Sequence, residues 1–560
     1  MHHSYQKYTN VSAHLPRMAA EVPEMPAVTV QHGAAAFESW NFAELNAESN
    51  RMAVALTGIG VTPGMRTALM VRPGLEFFSL AFALLKIGAA PVFIDPGIGK
   101  QGLKDCLDRA RPEAFIGITR AHAARVLLHW AEASVEINVT VGPRLFWGGE
   151  SYEALRARTP IPVEGFPVYQ PQPDETAAIL FTSGSTGSPK GAVYTHAIFA
   201  EQVEALRMMF GIEPGEQDVS TFPLFALFGP ALGMGAIIPD MDASRPAQAN
   251  PSRIINAANL RGATNLYASP ALLAKLARYG QHTERLPTLR RVISAGAPAE
   301  PQMLRALSRM LPRDAQIHTP YGATECLPVS VIGSREILEQ TAALTEQGKG
   351  VCVGRPVFPD SVRIIRITDE PIDAWSDELV LSQGQIGEIA VKSPVASAEY
   401  FDQPDKTRQA KIPTTNGGFY HRMGDVGYFD EQGRLWYCGR KSHRVRTASG
   451  DLFTIPVERI FNKHALVRRT ALVGIRDGRE ERNGLQRPVL CVEPARKLNP
   501  IERRTLSGDL WQLAQQTPLA RELYRIRLHH GFPMDVRHNS KIFREKLAAW
   551  AQEQEDDEKR

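Results

Sequence analysis

The chain carries a loop whose residue types suit the binding of an anion. Between Leu180 and Ala192 it reads "LFTSGSTGSPKGA", with three glycines, five hydroxyl residues and one lysine, entered from the apolar run "AAIL". Glycines allow a backbone to approach a phosphate closely, and successive N–H groups can then surround its oxygens. The hydroxyl groups add donors and Lys190 adds a positive charge. The composition predicts a phosphate-binding loop, against the alternative of a flexible surface loop.

Two common motifs do not fit this loop. A Walker A loop has its lysine followed by Ser or Thr, whereas Lys190 lies between Pro189 and Gly191. A nucleophile elbow has a glycine two residues before and two residues after its serine, and neither Ser183 nor Ser185 has both. The loop is therefore neither a P-loop nor a serine hydrolase signature.

The segments around the loop predict alternating strands and helices. "TAAILF" reads as a strand that enters the loop, and "ATNLYAS", "LRRVISAG" and "AQIHTPYG" read as further strands, with a helix at "PALLAKLARYG". Near the start, "EFFSLAFALLKIGAAPVFIDP" predicts a buried helix and then a strand. Residues 160–174 are proline-rich and predict an irregular connector, and short strands and turns follow after about Gly384. Such alternation favours an α/β fold with a largely parallel sheet.

Charge and composition narrow the classes of function. From Arg440 to the end there are 25 Lys and Arg against 16 Asp and Glu, whereas the preceding residues have 39 against 44. No nucleic-acid recognition motif accompanies this basic part, so we expect an anionic substrate or a partner surface instead. Five scattered cysteines and the absence of an apolar N-terminal segment predict a soluble, cytoplasmic protein without a disulfide framework.

The loop closely resembles the phosphate-binding loop of the adenylate-forming superfamily. This superfamily includes acyl-CoA synthetases, luciferases and the adenylation domains of peptide synthetases. Further segments resemble its motifs in the same order: "SAGAP" (Ser294–Pro298), "YGATE" (Tyr321–Glu325), "YHRMGDVGYFDEQGRL", "GRKSHRV" and "NSKIFRE". In the last of them Ser540 replaces the usual glycine. The matches extend over most of the chain, which makes the resemblance specific.

The resemblance implies that the protein binds ATP and Mg²⁺ and activates a carboxylic acid as its adenylate. Tyr321 would stack on adenine, Asp425 would accept the ribose hydroxyls, and Glu325 would be the Mg²⁺ ligand. The implied catalytic residues are Lys541, Glu325 and Thr324. The implied nucleotide-binding residues are Thr182, Ser183, Gly184, Ser185, Thr186, Gly187, Lys190, Gly296, Ala297, Pro298, Tyr321, Gly322, Asp425 and Arg440.

The resemblance also implies a division into two domains. A large N-terminal domain, residues 1–439, would consist of layered α/β subdomains and a β-rich part. A small, mobile α+β domain, residues 440–560, would carry Lys541 and turn about a hinge at Ser442. The excess of basic residues after Arg440 suits a domain that closes over ATP.

One position points to a particular branch. Many acyl-CoA synthetases and luciferases have "PLFH", whereas this chain has "PLFALFGPALGMG", with Ala226 in place of the histidine. We therefore expect a roomier, more apolar substrate pocket near Phe225, Ala226 and Gly229. The surrounding segments resemble the β-lactone synthetases of bacterial long-chain olefin biosynthesis. This resemblance implies that a 2-alkyl-3-hydroxyalkanoic acid is converted to a β-lactone, with release of AMP and pyrophosphate.

Several alternatives stay open at this point. A long-chain acyl-CoA synthetase would share every ATP motif, and a non-catalytic nucleotide-binding relative would share the fold. The base for ring closure is not identified, although His318 and His421 lie beside the motifs. The implied partners are the small-molecule acid and other enzymes of the olefin pathway, namely a β-lactone decarboxylase and a 2-alkyl-3-oxoalkanoate reductase.

Overall fold

The computed structural model describes residues 8–182, 189–476, 484–534 and 542–559. The first part of the chain contains helices α1 (His14–Glu21), α2 (Phe42–Gly58), α3 (Leu75–Ile87), α4 (Gly99–Ala110), α5 (Thr119–Leu127) and α6 (Tyr152–Arg158). Its strands are β1 (Pro26–His32), β2 (Ala36–Asn41), β3 (Arg66–Met70), β4 (Ala90–Ile94), β5 (Ala114–Ile118), β6 (Ile137–Val141) and β7 (Glu150–Ser151).

The central part continues the alternation of strands and helices. Its strands are β8 (Thr176–Thr182), β9 (Lys190–Thr195), β10 (Gln217–Ser220), β11 (Gly235–Ile238), β12 (Asn265–Ala268), β13 (Arg291–Ser294), β14 (Gln316–Ala323) and β15 (Cys326–Gly333). Its helices are α7 (His196–Phe210), α8 (Pro223–Ala226), α9 (Gly229–Leu232), α10 (Pro251–Leu260), α11 (Pro270–Gly280), α12 (Pro301–Ser308), α13 (Ser334–Glu336) and α14 (Ala342–Glu346).

A β-rich part and a smaller C-terminal part complete the chain. The β-rich part contains β16 (Val351–Pro356), β17 (Val362–Ile365), β18 (Gly387–Val391), α15 (Pro404–Ala410), β19 (Lys411–Pro413), β20 (Phe419–Phe429) and β21 (Leu435–Arg440). The C-terminal part contains β22 (Val445–Thr447), β23 (Gly450–Leu452), α16 (Thr454–Phe461), β24 (Val467–Arg476), β25 (Gln486–Pro494), α17 (Pro500–Gln516), β26 (Arg525–Leu528) and α18 (Arg544–Lys559).

Two layered sheets form the larger part of the molecule. One has the strand order β7-β6-β5-β3-β4-β8-β9 and is parallel except for its last pair. The other has the order β17-β18-β20-β21-β16-β15-β14-β13-β12-β10-β11-β1-β2, and its strands from β1 to β14 are parallel along this path. The predicted α/β class, with a largely parallel sheet, is confirmed.

Helix α3 belongs to the largest core cluster, which also takes residues from both sheets. Its residues from Phe77 to Ile87 are buried, and all of them except Ser79 and Lys86 are apolar, as expected for a helix in the interior. Phe78 and Phe82 belong to the same cluster as Val28 of β1 and Ala178 of β8. Gly88 ends the helix with φ of 84°, the left-handed conformation that favours glycine. The predicted helix followed by a strand is therefore confirmed in α3 and β4.

The C-terminal part has a sheet and cores of its own. Strands β24, β25 and β26 form a three-stranded sheet, which packs against α16, α17 and α18. Ion pairs connect it to the rest of the chain, including Arg459 with Glu300 at 2.6 Å and Arg444 with Asp369 at 2.6 Å. The predicted small α+β domain is thus present, while its mobility and the boundary after residue 439 stay predictions.

Two further observations concern the whole molecule. Within the described residues, no helix combines the length and the apolar composition needed to cross a membrane. All five cysteines are buried as free thiols.

Candidate active site

The predicted phosphate-binding loop connects the antiparallel strands β8 and β9. Thr182 pairs with Lys190 at the base of this hairpin, so the loop starts and ends at one place on the sheet. The loop residues Ser183, Gly184, Ser185, Thr186 and Gly187 lie outside the described residues, and of Thr182 only the backbone is described. Lys190 is half-buried, and its Nζ lies 4.9 Å from the centroid of the Tyr400 ring. The hairpin therefore holds the ammonium group of Lys190 against the ring of Tyr400.

The "YGATE" motif begins in β14 and ends just before β15. Gly322 needs to be a glycine because a Cβ there would lie 2.7 Å from the carbonyl oxygen of Cys326. The Tyr194 hydroxyl donates to the carbonyl oxygen of Thr324 at 2.6 Å, which ties the motif to β9. This hydrogen bond places the backbone between β14 and β15 beside the hairpin that carries the predicted phosphate-binding loop.

Tyr321 and the predicted ribose-binding pair come together in one polar cluster. The Tyr321 hydroxyl donates to Asp425 Oδ2 at 2.7 Å, and Arg440 Nη1 lies 3.1 Å from Asp425 Oδ1. Burial raises the pKa of Asp425, while the charge of Arg440 opposes that rise. The Tyr321 ring also lies 6.0 Å from the ring of Tyr437. Residues predicted from separate motifs therefore surround one site.

Glu325 suits a magnesium site that a nucleotide would complete. Its Oε1 accepts a hydrogen bond from the Tyr400 hydroxyl at 2.7 Å, and no other described residue donates to this carboxylate. Among the described residues there is no group of three His, Cys, Asp or Glu that could hold a metal ion. Mg²⁺ in phosphate-transfer sites is usually held by one or two carboxylates together with phosphate oxygens and water. A single available carboxylate therefore fits Mg²⁺ bound with ATP.

The "SAGAP" segment lies at the carboxyl end of a parallel strand. Ser294 ends β13, and Gly296 has φ of 99°, a left-handed conformation that strains other residues. Ala297 and Pro298 follow at the surface. Strands β12, β13 and β14 end at the same edge of the sheet, which is where ligands bind in open α/β sheets.

Comparison with known proteins agrees with this geometry. The sequence profile of the AMP-binding enzymes matches residues 15–401. The chain belongs to the family of AMP-binding enzymes. It is 49% identical to an olefin β-lactone synthetase of Stenotrophomonas maltophilia, with 97% of this chain and 98% of that protein aligned. It is 48% identical to an olefin β-lactone synthetase of Xanthomonas campestris pv. campestris, with the same coverage. The predicted family resemblance is confirmed.

Solved structures show the same fold at lower identity. The amide bond synthetase McbA from Marinactinospora thermotolerans superposes with a TM-score of 0.77 and 23% identity, over 97% of this chain and 99% of that chain. The O-succinylbenzoate coenzyme A synthetase of Bacillus subtilis, in complex with ATP and magnesium ion, gives a TM-score of 0.73 and 20% identity, over 95% and 98% of the chains. The predicted fold of the AMP-binding enzyme is therefore confirmed.

The predicted substrate-pocket residues follow β10 in this enzyme. The Phe225 ring stacks on Tyr267 with centroids 4.3 Å apart, and Ala226 packs into the core cluster shared by the two sheets. A Cβ on Gly229 would lie 2.7 Å from the carbonyl oxygen of Met234, so this position has no room for a side chain. The contacts of Phe225 and Ala226 are apolar, whereas a histidine at residue 226 would add a polar ring.

The two histidines considered as bases are packed against other groups. His421 is buried, its Nδ1 lies 3.1 Å from Lys411 Nζ, and burial lowers its pKa well below 6.5. The His318 ring packs edge-on against Phe210 at 5.3 Å, and burial lowers its pKa to about 4. Both are thus neutral at pH 7, and both contribute to packing.

The residues around the predicted hinge form an ion-pair network. Lys441 Nζ lies 3.0 Å from Glu388 Oε1 and donates to the carbonyl oxygen of Thr368 at 2.9 Å. On the other side of Ser442, Arg444 pairs with Asp369 at 2.6 Å and with Asp451 at 3.0 Å. Ser442 therefore lies between two anchored basic residues, and a rotation there would have to break some of these contacts.

The predicted catalytic Lys541 lies outside the described residues. The nearest described residues on its two sides, Met534 and Ile542, form an antiparallel bridge. Arg544 Nη2 then pairs with Glu458 Oε2 at 3.0 Å.

One residue of this site was missed from the sequence. Tyr400 contacts both Glu325 and Lys190, yet it stands in "SAEYFDQP", where nothing in composition or spacing distinguishes it from other tyrosines. Its role follows only from the contacts, which join segments far apart in sequence.

Proposed function

We propose that this enzyme converts a 2-alkyl-3-hydroxyalkanoic acid and ATP into a β-lactone, AMP and pyrophosphate. The observation that carries the proposal is the identity of 48–49% to olefin β-lactone synthetases over 97% of the chain. The site supports it, because Tyr321, Asp425 and Arg440 meet at one place, beside Glu325 and the phosphate-binding hairpin.

In the first step the substrate carboxylate attacks the α-phosphorus of ATP, and pyrophosphate leaves. Two anions must approach each other, so positive charge in the site is the main requirement. Lys541 bridges the carboxylate and the α-phosphate, Thr324 contacts the α-phosphate, and residues 182–190 hold the β- and γ-phosphates. Mg²⁺ on Glu325, when bound, neutralises phosphate oxygens.

In the second step the 3-hydroxyl oxygen of the same molecule attacks the acyl carbon. A bond forms between this oxygen and the acyl carbon, the bond between the acyl carbon and the phosphate oxygen of AMP breaks, and the hydroxyl proton passes to water. AMP is a good leaving group, which a strained four-membered ring requires. The nucleophile is already tethered, and well-oriented intramolecular reactions reach effective molarities of roughly 10⁵–10⁸ M.

The chain contributes to this step mainly by orienting the substrate. We expect the alkyl chains to lie against the apolar side chains of Phe225 and Ala226, so that the hydroxyl faces the carbonyl. Because residue 226 is alanine and not histidine, no polar side chain faces the alkyl chains at this position. Rotation about Ser442 lets residues 440–560 serve each half-reaction in turn, which requires the contacts of Lys441 or Arg444 to be remade.

The proposed reaction also suggests which enzymes act before and after it in a pathway. A 2-alkyl-3-oxoalkanoate reductase supplies a 3-hydroxy acid, and a β-lactone decarboxylase consumes the product and releases an alkene. Both substrate and product carry long alkyl chains, so direct transfer between these enzymes avoids exposing them to water.

Product analysis tests the proposal. Enzyme, ATP, Mg²⁺ and a 2-alkyl-3-hydroxy acid are incubated with and without coenzyme A, and the products are followed by proton NMR. We expect AMP, pyrophosphate and a β-lactone in both cases, with ring hydrogens on adjacent carbons. A requirement for coenzyme A and formation of a thioester would instead identify an acyl-CoA synthetase.

A further inference from the structure

Residues 396–401 form a strap that connects the two halves of the predicted ATP site. At one end, Ala396 bridges Cys326, and Ser397 N donates to the carbonyl oxygen of Glu325 at 2.8 Å. At the other end, Phe401 N donates to the carbonyl oxygen of Gly191 at 2.7 Å. The strap therefore fixes the "YGATE" motif relative to the strand that carries Lys190.

The side chain of Tyr400 lies in the middle of this strap. It is 4% exposed, and its hydroxyl donates to Glu325 Oε1 at 2.7 Å. Lys190 Nζ lies 4.9 Å from the centroid of its ring, and Lys411 Nζ lies 5.9 Å from it. Lys411 itself donates to the carbonyl oxygen of Ser397 in the same strap. The Tyr400 side chain thus contacts the Glu325 carboxylate through its hydroxyl and two lysine ammonium groups through its ring.

We propose that Tyr400 is a positioning residue for the metal and phosphate contacts of the adenylation step. Its hydroxyl holds one oxygen of Glu325, which leaves the other oxygen for a divalent cation. Its ring holds the ammonium group of Lys190 at a fixed place beside the phosphate-binding loop. The inference rests on the proposed function in one respect, namely that Glu325 is the ligand of Mg²⁺.

The two contacts of Tyr400 separate into two measurable effects. A glutamate side chain without its hydrogen-bond donor is free to rotate, so the metal must then order it. Groups that orient a metal ligand typically change metal affinity by 10–100-fold when they are removed. The attraction between Lys190 and the ring does not depend on the hydroxyl, because it arises from the charge distribution of the aromatic face.

The test compares Tyr400→Phe and Tyr400→Leu with the wild type. Mn²⁺ binding to the enzyme in the presence of ATP, without the acid, is measured from the electron paramagnetic resonance signal of free Mn²⁺. Tyr400→Phe should weaken Mn²⁺ binding by about tenfold and leave the affinity for metal-free ATP unchanged. Tyr400→Leu should weaken both, because it also removes the ring from Lys190.

A matched control and a double substitution make the test specific. Tyr428 donates its hydroxyl to the carbonyl oxygen of Lys349 at 2.9 Å, so Tyr428→Phe removes a comparable hydrogen bond without touching Glu325 or Lys190. It should leave Mn²⁺ binding unchanged. In a Glu325→Gln background, Tyr400→Phe should cause little further loss, since the two residues act through one interaction.

The results separate this inference from the proposed function. If Tyr400→Phe binds Mn²⁺ as tightly as the wild type, or if its effect adds fully to that of Glu325→Gln, the positioning role is wrong. These binding measurements use no acid substrate, so they hold whichever acid the enzyme activates. If the wild type releases no pyrophosphate with the 3-hydroxy acid, the proposed function fails while the metal-binding result still decides the role of Tyr400.

Discussion

Asp425 accepts a hydrogen bond from Tyr321, a residue 104 positions earlier in the chain, at a distance of 2.7 Å. Arg440 lies on the other side of the same carboxylate, at 3.1 Å, and strands β20 and β21 pair Asp425 with Arg440 directly. The two residues predicted to contact adenine and ribose are therefore linked directly by a hydrogen bond.

Asp425→Asn should weaken ATP binding by roughly tenfold or more. The amide keeps the shape of the side chain, but it loses the charge that pairs with Arg440 and weakens the acceptor for the ribose hydroxyls. Calorimetric titration with ATP measures the loss. Asp373→Asn is a suitable control, because Asp373 pairs with Arg408 at an exposed position, and it should bind ATP like the wild type. Equal affinities for the Asp425 variant and the wild type would contradict the assignment.

Lys541→Ala should abolish pyrophosphate release while ATP still binds. The proposal gives Lys541 a contact with the reacting carboxylate and the α-phosphate, so its loss acts on the chemical step. Pyrophosphate release and ATP binding are measured on the same preparation. Lys546→Ala is the control, since Lys546 is an exposed residue of α18 that lies over the Phe543 ring at 5.2 Å. Activity in the Lys541 variant close to that of the wild type would refute its catalytic role.

The sequence predicts which residues belong to this site better than it predicts which of them are in contact. The strand and helix around "PALLAKLARYG" follow from apolar periodicity and Pro270, and the structure places α11 at Pro270–Gly280 as predicted. The pairing of β10 with β12 and of β11 with β1 does not follow from such local patterns, because these strands are not consecutive and β1 comes from the start of the chain. Tyr400 was missed for the same reason, since its partner Glu325 is 75 residues away.

Asp218 should make stability depend on pH in a recognisable way. It is 1% exposed, and burial raises its pKa from 3.8 to about 7, although hydrogen bonds from the Ser220 side chain and the Tyr267 backbone oppose that rise. The unfolded chain therefore loses this proton at a lower pH than the folded chain does. The stability that the protonated carboxyl contributes is complete below about pH 4 and is lost as the pH rises through 7.

Asp218→Asn, which imitates the neutral carboxyl, tests this expectation. The difference in the free energy of unfolding between this variant and the wild type should increase, in favour of the variant, by about 2–3 kcal/mol from pH 5 to pH 8. Urea denaturation at both pH values measures it. The exposed Asp174→Asn should show no such growth. An advantage that is the same at pH 5 and pH 8 would mean that Asp218 is already ionised in the folded enzyme.

Ala226→Leu should impair turnover of long-chain acids more than of short-chain acids. Ala226 is 4% exposed and buried in the cluster beside Phe225, so a larger side chain takes space from the proposed alkyl pocket. The ratio of kcat/KM for long and short acids is the measurement. Ala257→Leu, in the separate cluster of α10, also overpacks a core and is expected to lower stability by about 1–3 kcal/mol. It should leave that ratio unchanged, and an unchanged ratio in the Ala226 variant would place the pocket elsewhere.

An acid that lacks the 3-hydroxyl should stop the enzyme after the first step. The carboxylate can still attack ATP, since the roles proposed for Lys541, Glu325 and the phosphate contacts do not involve the hydroxyl. The acyl-AMP then has no internal nucleophile, and the proposed apolar surroundings, which exclude water, slow its hydrolysis. We therefore expect a burst of about one pyrophosphate per enzyme and little turnover afterwards.

Quenched-flow measurement of pyrophosphate, with the 3-hydroxy acid as the matched control, tests this expectation directly. The control should show continued turnover and accumulation of the lactone, because its hydroxyl closes the ring and releases AMP from the site. Adding coenzyme A should not restore turnover of the acid that lacks the 3-hydroxyl, since the proposed reaction uses no thiol. Rescue by coenzyme A with formation of a thioester would show that the acceptor is external, and the tethered hydroxyl would then lose its assigned role.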